Sequence, residues 1–358
     1  MEDVIPEYVK ALCNEIRIVG QANKHIDVHT IFFGGGTPSL LSPSQLEEIL
    51  RSISNVFEVK PGTEISLETN PGTLEPKYFR ELFEIGFNRI SIGVQSANTK
   101  ELNLLGRIHT YEDAITAVSC ARKAGFRNLN MDLIYGLPEQ TILDWQKTLG
   151  LLLDLDPEHI SLYGLTVEKG TQLGRWVNRG LIPLPDPDLA ADMYEWAGEK
   201  LTTAGYEHYE VSNWAKPGYQ CRHNLQYWRN QPYLGFGAGA HGYANNMRVA
   251  NISTIKPYTK FYHKFSPLKF PMPPATRNFQ SINVYTEMQE TMMIGLRLTK
   301  EGVSKYQFRE RFGKEMRDVF KREIDELTQM GLLEWADDSL RLTRRGILVG
   351  NQVFMRFV

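Results

Sequence analysis

Cysteine is scarce in this chain: three residues in 358, Cys13, Cys120 and Cys221. They lie far apart and form no CxxC pair, so they supply neither a disulfide framework nor a ready cluster of thiolates, which fits a reducing cytoplasm. No run of about 18 apolar residues occurs, so no membrane-spanning helix is expected. Charge of one sign is lacking too. Forty Lys+Arg against 42 Asp+Glu leave a formal −2, which gives no electrostatic reason to expect nucleic acid or anionic lipid as a partner. The opening stretch MEDVIPEYVKALCNEI is acidic and amphipathic, unlike a signal peptide. What is present is ordinary core material, 42% hydrophobic residues, in a length suited to roughly two domains.

The chain is organised around residues 28–38, VHTIFFGGGTP. Residues 28–33 read as a buried strand. Gly34, Gly35 and Gly36 follow at once, then Thr37 and Pro38. A strand running into glycines and then a helix leaves backbone N–H groups open to a ligand. The predicted helices are 4–18, 44–56 (with Ser44 and Glu47 as a capping box), 75–85, 98–105, 111–124 and 141–153. The predicted strands are 28–33, 64–69, 89–94, 128–134 and 159–165. Five strand–helix alternations in about 140 residues argue for a parallel sheet curved into a complete or partial β/α barrel.

After Gly170 the pattern changes. A helix is expected over 189–204, a further strand over 206–212, and a loop rich in aromatics and glycine over 213–242. From 286 onward the chain is helical and charged, and 302–310, 314–330 and a short hairpin around 334–343 read as helix–turn–helix plus wing. Residues 300–358 carry 12 Lys/Arg against 10 Asp/Glu. A DNA-reading winged helix would carry a larger basic excess, so a packing or lid role is expected instead. The expected division is 1–170 for the barrel, 171–285 for an extension with the aromatic loop, and 286–358 for a winged-helix-like domain.

Each predicted barrel strand ends in polar residues, on the face where β/α barrels keep their sites. The glycine turn and Thr37 follow the first strand, Glu68 and Asn70 end the second, and Gln95 and Ser96 end the third. Arg107 sits past a short helix, and Asp132 lies in NLNMDLI. Arg binds a carboxylate with a two-pronged fork, while Glu and Asp accept from hydroxyls or an ammonium. Singly these residues have structural explanations, and a triple glycine could equally cradle phosphate in a sugar-phosphate enzyme. As a row at successive strand ends they suit a ligand with hydroxyls, an amine and a carboxylate.

The stretches IFFGGGTPSLLS, EISLETNPGTL, FNRISIGVQS, LLGRIHT and MDLIYGLPEQT resemble, in order and spacing, the radical S-adenosylmethionine (SAM) enzymes of the oxygen-independent coproporphyrinogen oxidase group, and most of all its HemW branch, the haem chaperones. The resemblance implies an α/β fold, a partial (β/α)6 radical-SAM-type barrel lacking its first strand, with a C-terminal helical, winged-helix-like domain. It places Gly35, Gly36 and Thr37 at the methionine end of SAM and Glu68, Gln95, Arg107 and Asp132 at the other SAM-contacting positions.

One departure concerns the family's CxxxCxxC motif, whose three cysteines bind a [4Fe–4S] cluster. Cys13, Cys120 and Cys221 match none of those positions. Two explanations are open: a misplaced or trimmed start in a competent protein, or a natural relative without a cluster. As written, the 358 residues are expected to bind no iron, and the missing strand is expected to leave the edge of 28–33 exposed.

The stretch Cys221–Trp228, CRHNLQYW, carries the HNxxYW pattern that the resemblance assigns to the haem-chaperone branch. A lone histidine is more often structural or exposed. With the resemblance, His223 is the best candidate for meeting haem iron and Tyr227 accompanies it, since His and Tyr both ligate haem. Cys221 and His241, in the GAGAHG turn, stand in reserve. The expected function is a cytoplasmic haem chaperone that passes haem to an acceptor protein, with peripheral contact to membrane-bound acceptors. The alternatives are oxidative decarboxylation of coproporphyrinogen III, which needs the cluster, and a phosphate-binding β/α barrel enzyme.

Overall fold

The computed structural model describes residues 4–23, 26–72, 74–262 and 270–358. Residues 1–3 of the acidic opening stretch and Thr73 of EISLETNPGTL lie outside the described residues. Two compact units emerge. A barrel unit comprises 32–40 and 65–221, and a second unit comprises 1–31, 41–64 and 222–358.

The first half of the chain runs α1 (Ile5–Ala22), β1 (Asp27–Phe33), α2 (Pro43–Ser54), β2 (Glu58–Thr69), α3 (Pro76–Glu84), β3 (Arg89–Gln95), α4 (Thr99–Leu104), α5 (Tyr111–Ala124), β4 (Leu129–Tyr135), α6 (Ile142–Leu153) and β5 (His159–Gly164). Next come α7 (Gln172–Asn178), α8 (Pro187–Thr203), β6 (Glu207–Glu210) and β7 (Asn213–Ala215). The strands form one open sheet in the order β1-β2-β3-β4-β5-β7-β6. The pairs β2–β3, β3–β4 and β4–β5 are parallel, whereas β7 turns back antiparallel on β5 and β6 on β7. All seven residues of β3 are buried, the mark of a strand covered on both faces. Thr110 with Asp113 and Thr141 with Asp144 close capping boxes at the starts of α5 and α6.

Local details differ from expectation. The capping box of α2 is Ser42 with Gln45 rather than Ser44 with Glu47, because Pro43 at the first helical position fixes the cap two residues earlier. β2 begins six residues before the predicted 64, through Pro61 and Gly62, residues that ordinarily argue against a strand. The predicted strand over 206–212 is shorter, and the predicted loop over 213–242 contains β7 and a helix, α9 (Arg222–Trp228).

In the second unit, α1 packs on α2 and on α10 (Ile255–Phe261). A cluster of Ala11, Tyr258, Tyr262 and Ala275, with Tyr8 and Ile18 against it, forms part of the core. Three further strands, β8 (His241–Ala244), β9 (Met247–Asn251) and β10 (Thr276–Ser281), form an antiparallel sheet that the sequence reading did not foresee. The chain then runs α11 (Val284–Gly295), β11 (Val303–Ser304), α12 (Lys305–Phe312), α13 (Met316–Gln329), β12 (Leu333–Ala336), β13 (Ser339–Leu342), α14 (Arg344–Leu348) and α15 (Gly350–Phe354). The sheet β11-β13-β12 beside α12 and α13 is the expected helix–turn–helix and wing.

Candidate functional site

β1 delivers the chain to the glycine turn. Gly35 and Gly36 take φ of 79° and 67°, a left-handed region that side chains resist, and nothing lies within 4 Å of where their Cβ atoms would stand. Gly34 is crowded instead: a Cβ there would lie 3.1 Å from the carboxyl carbon of Glu68. The N–H of Gly35 donates to Glu68 Oε2 at 3.1 Å. Thr37 closes the turn, its carbonyl accepting the N–H of Leu40 at 3.1 Å.

Glu68, near the end of β2, has its carboxyl pushed above the usual range by burial. The Gly35 N–H opposes that shift, and Asp132 adds to it by repulsion. Asp132, on β4, accepts from Asn130 Nδ2 at 2.8 Å on Oδ1 and from Ser91 Oγ at 3.1 Å on Oδ2. Burial raises its carboxyl as well, against the pull of its hydrogen-bond donors and the charge of Arg89. Two partly sheltered carboxylates that sense each other form an acceptor pair for hydroxyl or ammonium donors.

Gln95 ends β3 buried, with φ of 67°, beside a break in the β3–β4 register between Ile92 and Gln95. A positive φ at a residue with a Cβ is strained and is often found at functional positions. Gln95 Nε2 and Asn70 Oδ1 flank Gly93, at 2.8 and 3.5 Å from where its Cβ would stand. Arg107 Nη1 reaches the same Asn70 Oδ1 at 3.4 Å. The structure therefore gathers the strand-end residues into two groups: Gly35, Glu68 and Asp132, and Gln95, Asn70 and Arg107.

In the second unit, Glu64 accepts the backbone N–H groups of Arg222 and His223 at 3.1 and 3.0 Å, one on each carboxylate oxygen. That clamp fixes the start of α9. His223 is held at both ring nitrogens, Nδ1 with Thr30 Oγ1 and Nε2 with Tyr227 Oη, each at 2.9 Å. Burial drives its imidazole down to about 4, so it is neutral at neutral pH. Tyr227 stands edge-on to Tyr233 at 4.6 Å, and the Arg297 guanidinium lies 5.0 Å over Trp228. Of the reserves, Cys221 is buried, its N–H on Tyr209 Oη at 3.3 Å, and His241 is exposed at the start of β8.

Glu64 and Thr30 escaped the sequence reading, because nothing local links them to residue 223. A row of buried polar side chains within the barrel unit, Ser91, Asn130, His159 and Ser161, was missed as well. Its signal was readable: Asn130 and Asp132, like His159 and Ser161, are two apart on a strand and so share a face.

No disulfide joins the three cysteines, and among the described residues no group of three His, Cys, Asp or Glu is placed to hold a metal ion. The residues present do not fit a [4Fe–4S] cluster. Among the described residues no helix is long and apolar enough to cross a membrane.

Residues 7–152 match the Radical SAM superfamily, and residues 285–349 match the HemN C-terminal domain. The chain is 36% identical over 357 residues to the Heme chaperone HemW of Bacillus subtilis (strain 168), covering 99% of this chain and 92% of that protein. It is 40% identical over 295 residues to the Heme chaperone HemW of Synechocystis sp., covering 82% and 70%. Among solved structures it is similar to the coproporphyrinogen III oxidase HemN of Escherichia coli, a radical SAM enzyme, with a TM-score of 0.83, 22% identity, and coverage of 98% of this chain and 82% of that one. That likeness concerns the fold, a curled half-barrel sheet of seven strands with an additional C-terminal domain. The extent and identity of the sequence matches decide the family: this chain belongs to the HemW haem chaperones, built on the radical SAM fold.

Proposed function

We propose that this protein binds haem and hands it to an acceptor protein, and that His223 on α9 meets the haem iron. The relatives named above are haem chaperones, matched over 92% and 70% of their length. Within the molecule, the observation that carries the reading is the state of His223. Its imidazole is neutral, which is the ligating form, and its helix is clamped by Glu64. Because both ring nitrogens are already engaged, iron at Nε2 would replace the Tyr227 hydroxyl, leaving that hydroxyl beside the new ligand.

On the same reading Gly35, Gly36, Thr37, Glu68, Gln95, Arg107 and Asp132 hold SAM. The fit is chemical. The two bare glycines admit a close ligand, the paired carboxylates accept ribose hydroxyls or an ammonium, and Arg107 offers a fork for a carboxylate. SAM bound there would supply a sulfonium with activated carbon–sulfur bonds. The chain's part is to orient it. The ligands of an iron–sulfur cluster are not met among the described residues.

The proposed setting is the cytoplasm, with peripheral contact to membrane-bound acceptors. The division into 1–170, 171–285 and 286–358 belongs to the same proposal and is supported at its last boundary by the match over 285–349. Haem titration of the wild type and of His223→Ala tests the reading. The wild type is expected to give a saturable Soret band that the variant loses or shifts. A variant with the wild-type band and affinity removes His223 from the site.

A further inference from the structure

The interior of the barrel unit holds a chain of hydrogen bonds whose direction can be worked out link by link. Asn130 Nδ2 donates to Asp132 Oδ1 at 2.8 Å and to Ser91 Oγ at 2.7 Å. Both amide hydrogens are thereby used, and Ser91 Oγ, having accepted, donates to Asp132 Oδ2 at 3.1 Å. Asn130 Oδ1 can then only accept, and it receives Ser161 Oγ at 3.0 Å and His159 Nδ1 at 2.6 Å. The His159 proton must therefore sit on Nδ1, because a bare nitrogen facing that oxygen would set two lone pairs against each other. On the other side, Cys221 N–H donates to Tyr209 Oη at 3.3 Å, and Tyr209 Oη meets His159 Nε2 at 2.7 Å. With Nδ1 protonated and the ring neutral, Nε2 accepts the tyrosine proton. Burial and the charge of Arg89 keep the imidazole from taking a second proton. His159, Asn130, Ser161, Ser91 and Tyr209 are all buried, so water offers no substitute partner and each reversal would strand a donor or an acceptor.

We propose that His159 is a positioning residue for Asp132: by fixing the Asn130 amide in one orientation, it keeps the Asn130 donor on Oδ1, opposite the Ser91 donor on Oδ2, and so orients the carboxylate toward a ligand. This deepens the reading in which Asp132 contacts SAM, and for its ligand it rests on that reading. Without His159, Asn130 is free to turn its oxygen toward Asp132. The carboxylate then loses a donor and meets a repulsive neighbour.

Two measurements on the full chain test this. In protein labelled with 15N-histidine, the ring shifts of His159 are expected to report the Nδ1–H tautomer at pH 7. Calorimetric titration with SAM is expected to show about ten-fold weaker binding in His159→Phe, one charge-assisted hydrogen bond's worth, with a shifted infrared carboxylate band for 13C-labelled Asp132. Tyr209→Phe retains the ring and removes only the donor to Nε2; Asn130 Oδ1 still faces Nδ1, so the variant is expected to fold and to keep the Nδ1–H tautomer. An Nε2–H ring in the wild type, or a His159→Phe protein with wild-type SAM affinity and carboxylate band, overturns the proposal. If His159→Phe does not fold, an Nε2–H or mixed tautomer in Tyr209→Phe overturns it. Wild-type SAM affinity in Asp132→Asn would instead remove the SAM reading, and the tautomer and the carboxylate band would still decide whether His159 positions Asp132.

Discussion

Glu15 on α1 offers a sharp test of the packing in the second unit. Its carboxylate is fully enclosed and accepts from Asn251 Nδ2 at 2.6 Å, Gly237 N–H at 2.8 Å and Tyr258 Oη at 2.5 Å. It thereby ties α1 to the glycine-rich turn 235–242 and to α10. Burial raises its carboxyl from 4.5 to about 7, outweighing those donors. The folded state therefore keeps a proton that the unfolded chain loses. The contribution of this group to stability is full below about pH 4.5 and falls as pH rises toward 7. Between pH 5 and 8 the loss amounts to about 2.5 kcal/mol. The neighbouring phenols of Tyr8, Tyr258 and Tyr262 are all pushed above 10 and do not titrate there. Glu15→Gln keeps the shape and removes the charge. In urea unfolding at pH 5, 6, 7 and 8, the stability of the wild type relative to Glu15→Gln is expected to decline by about that amount. Parallel curves for the two proteins would refute the reasoning, as would a wild type that gains on the variant with rising pH.

Three other outcomes follow from the same structure. Gln95→Gly relieves a positive φ and is expected to stabilise the chain by about 1 kcal/mol while weakening SAM, read by urea midpoint and calorimetry; unchanged SAM affinity would place Gln95 outside the site. Glu64→Gln can accept only one of the two N–H groups at the start of α9. It is expected to cost about 1–3 kcal/mol and to shift the haem Soret band, whereas an unaltered band would separate the clamp from haem binding. Anaerobic reconstitution of these 358 residues with iron and sulfide is expected to leave far fewer than about four irons per chain, the number a [4Fe–4S] cluster requires, and iron analysis near four would contradict it.

The barrel strands were legible because two-sided burial leaves runs such as RISIGV, preceded by the helix-ending Gly86, and because helix caps such as Thr110 and Thr141 are local signals. The polar row at the strand ends was legible for the same reason, since strand register decides which residues lie there. The structure puts Glu68 beside the Gly35 N–H and Arg107 on Asn70, contacts that spacing suggests but does not specify. α9 was read as loop because seven residues dense in aromatics carry no helical periodicity. What holds α9 in place is Glu64, 158 residues before Arg222. Glu15 and Gly237 are likewise 222 residues apart. Partners of that kind are set by tertiary packing, and no local pattern records them.

Haem transfer tests the central claim most directly. The haem-loaded protein is mixed with increasing concentrations of a haem-free acceptor haemoprotein, and the movement of the Soret band is timed against loss to a non-specific haem scavenger. A handover predicts a rate that rises with acceptor concentration and exceeds spontaneous haem loss. A rate independent of the acceptor and equal to the scavenger rate would contradict the chaperone account.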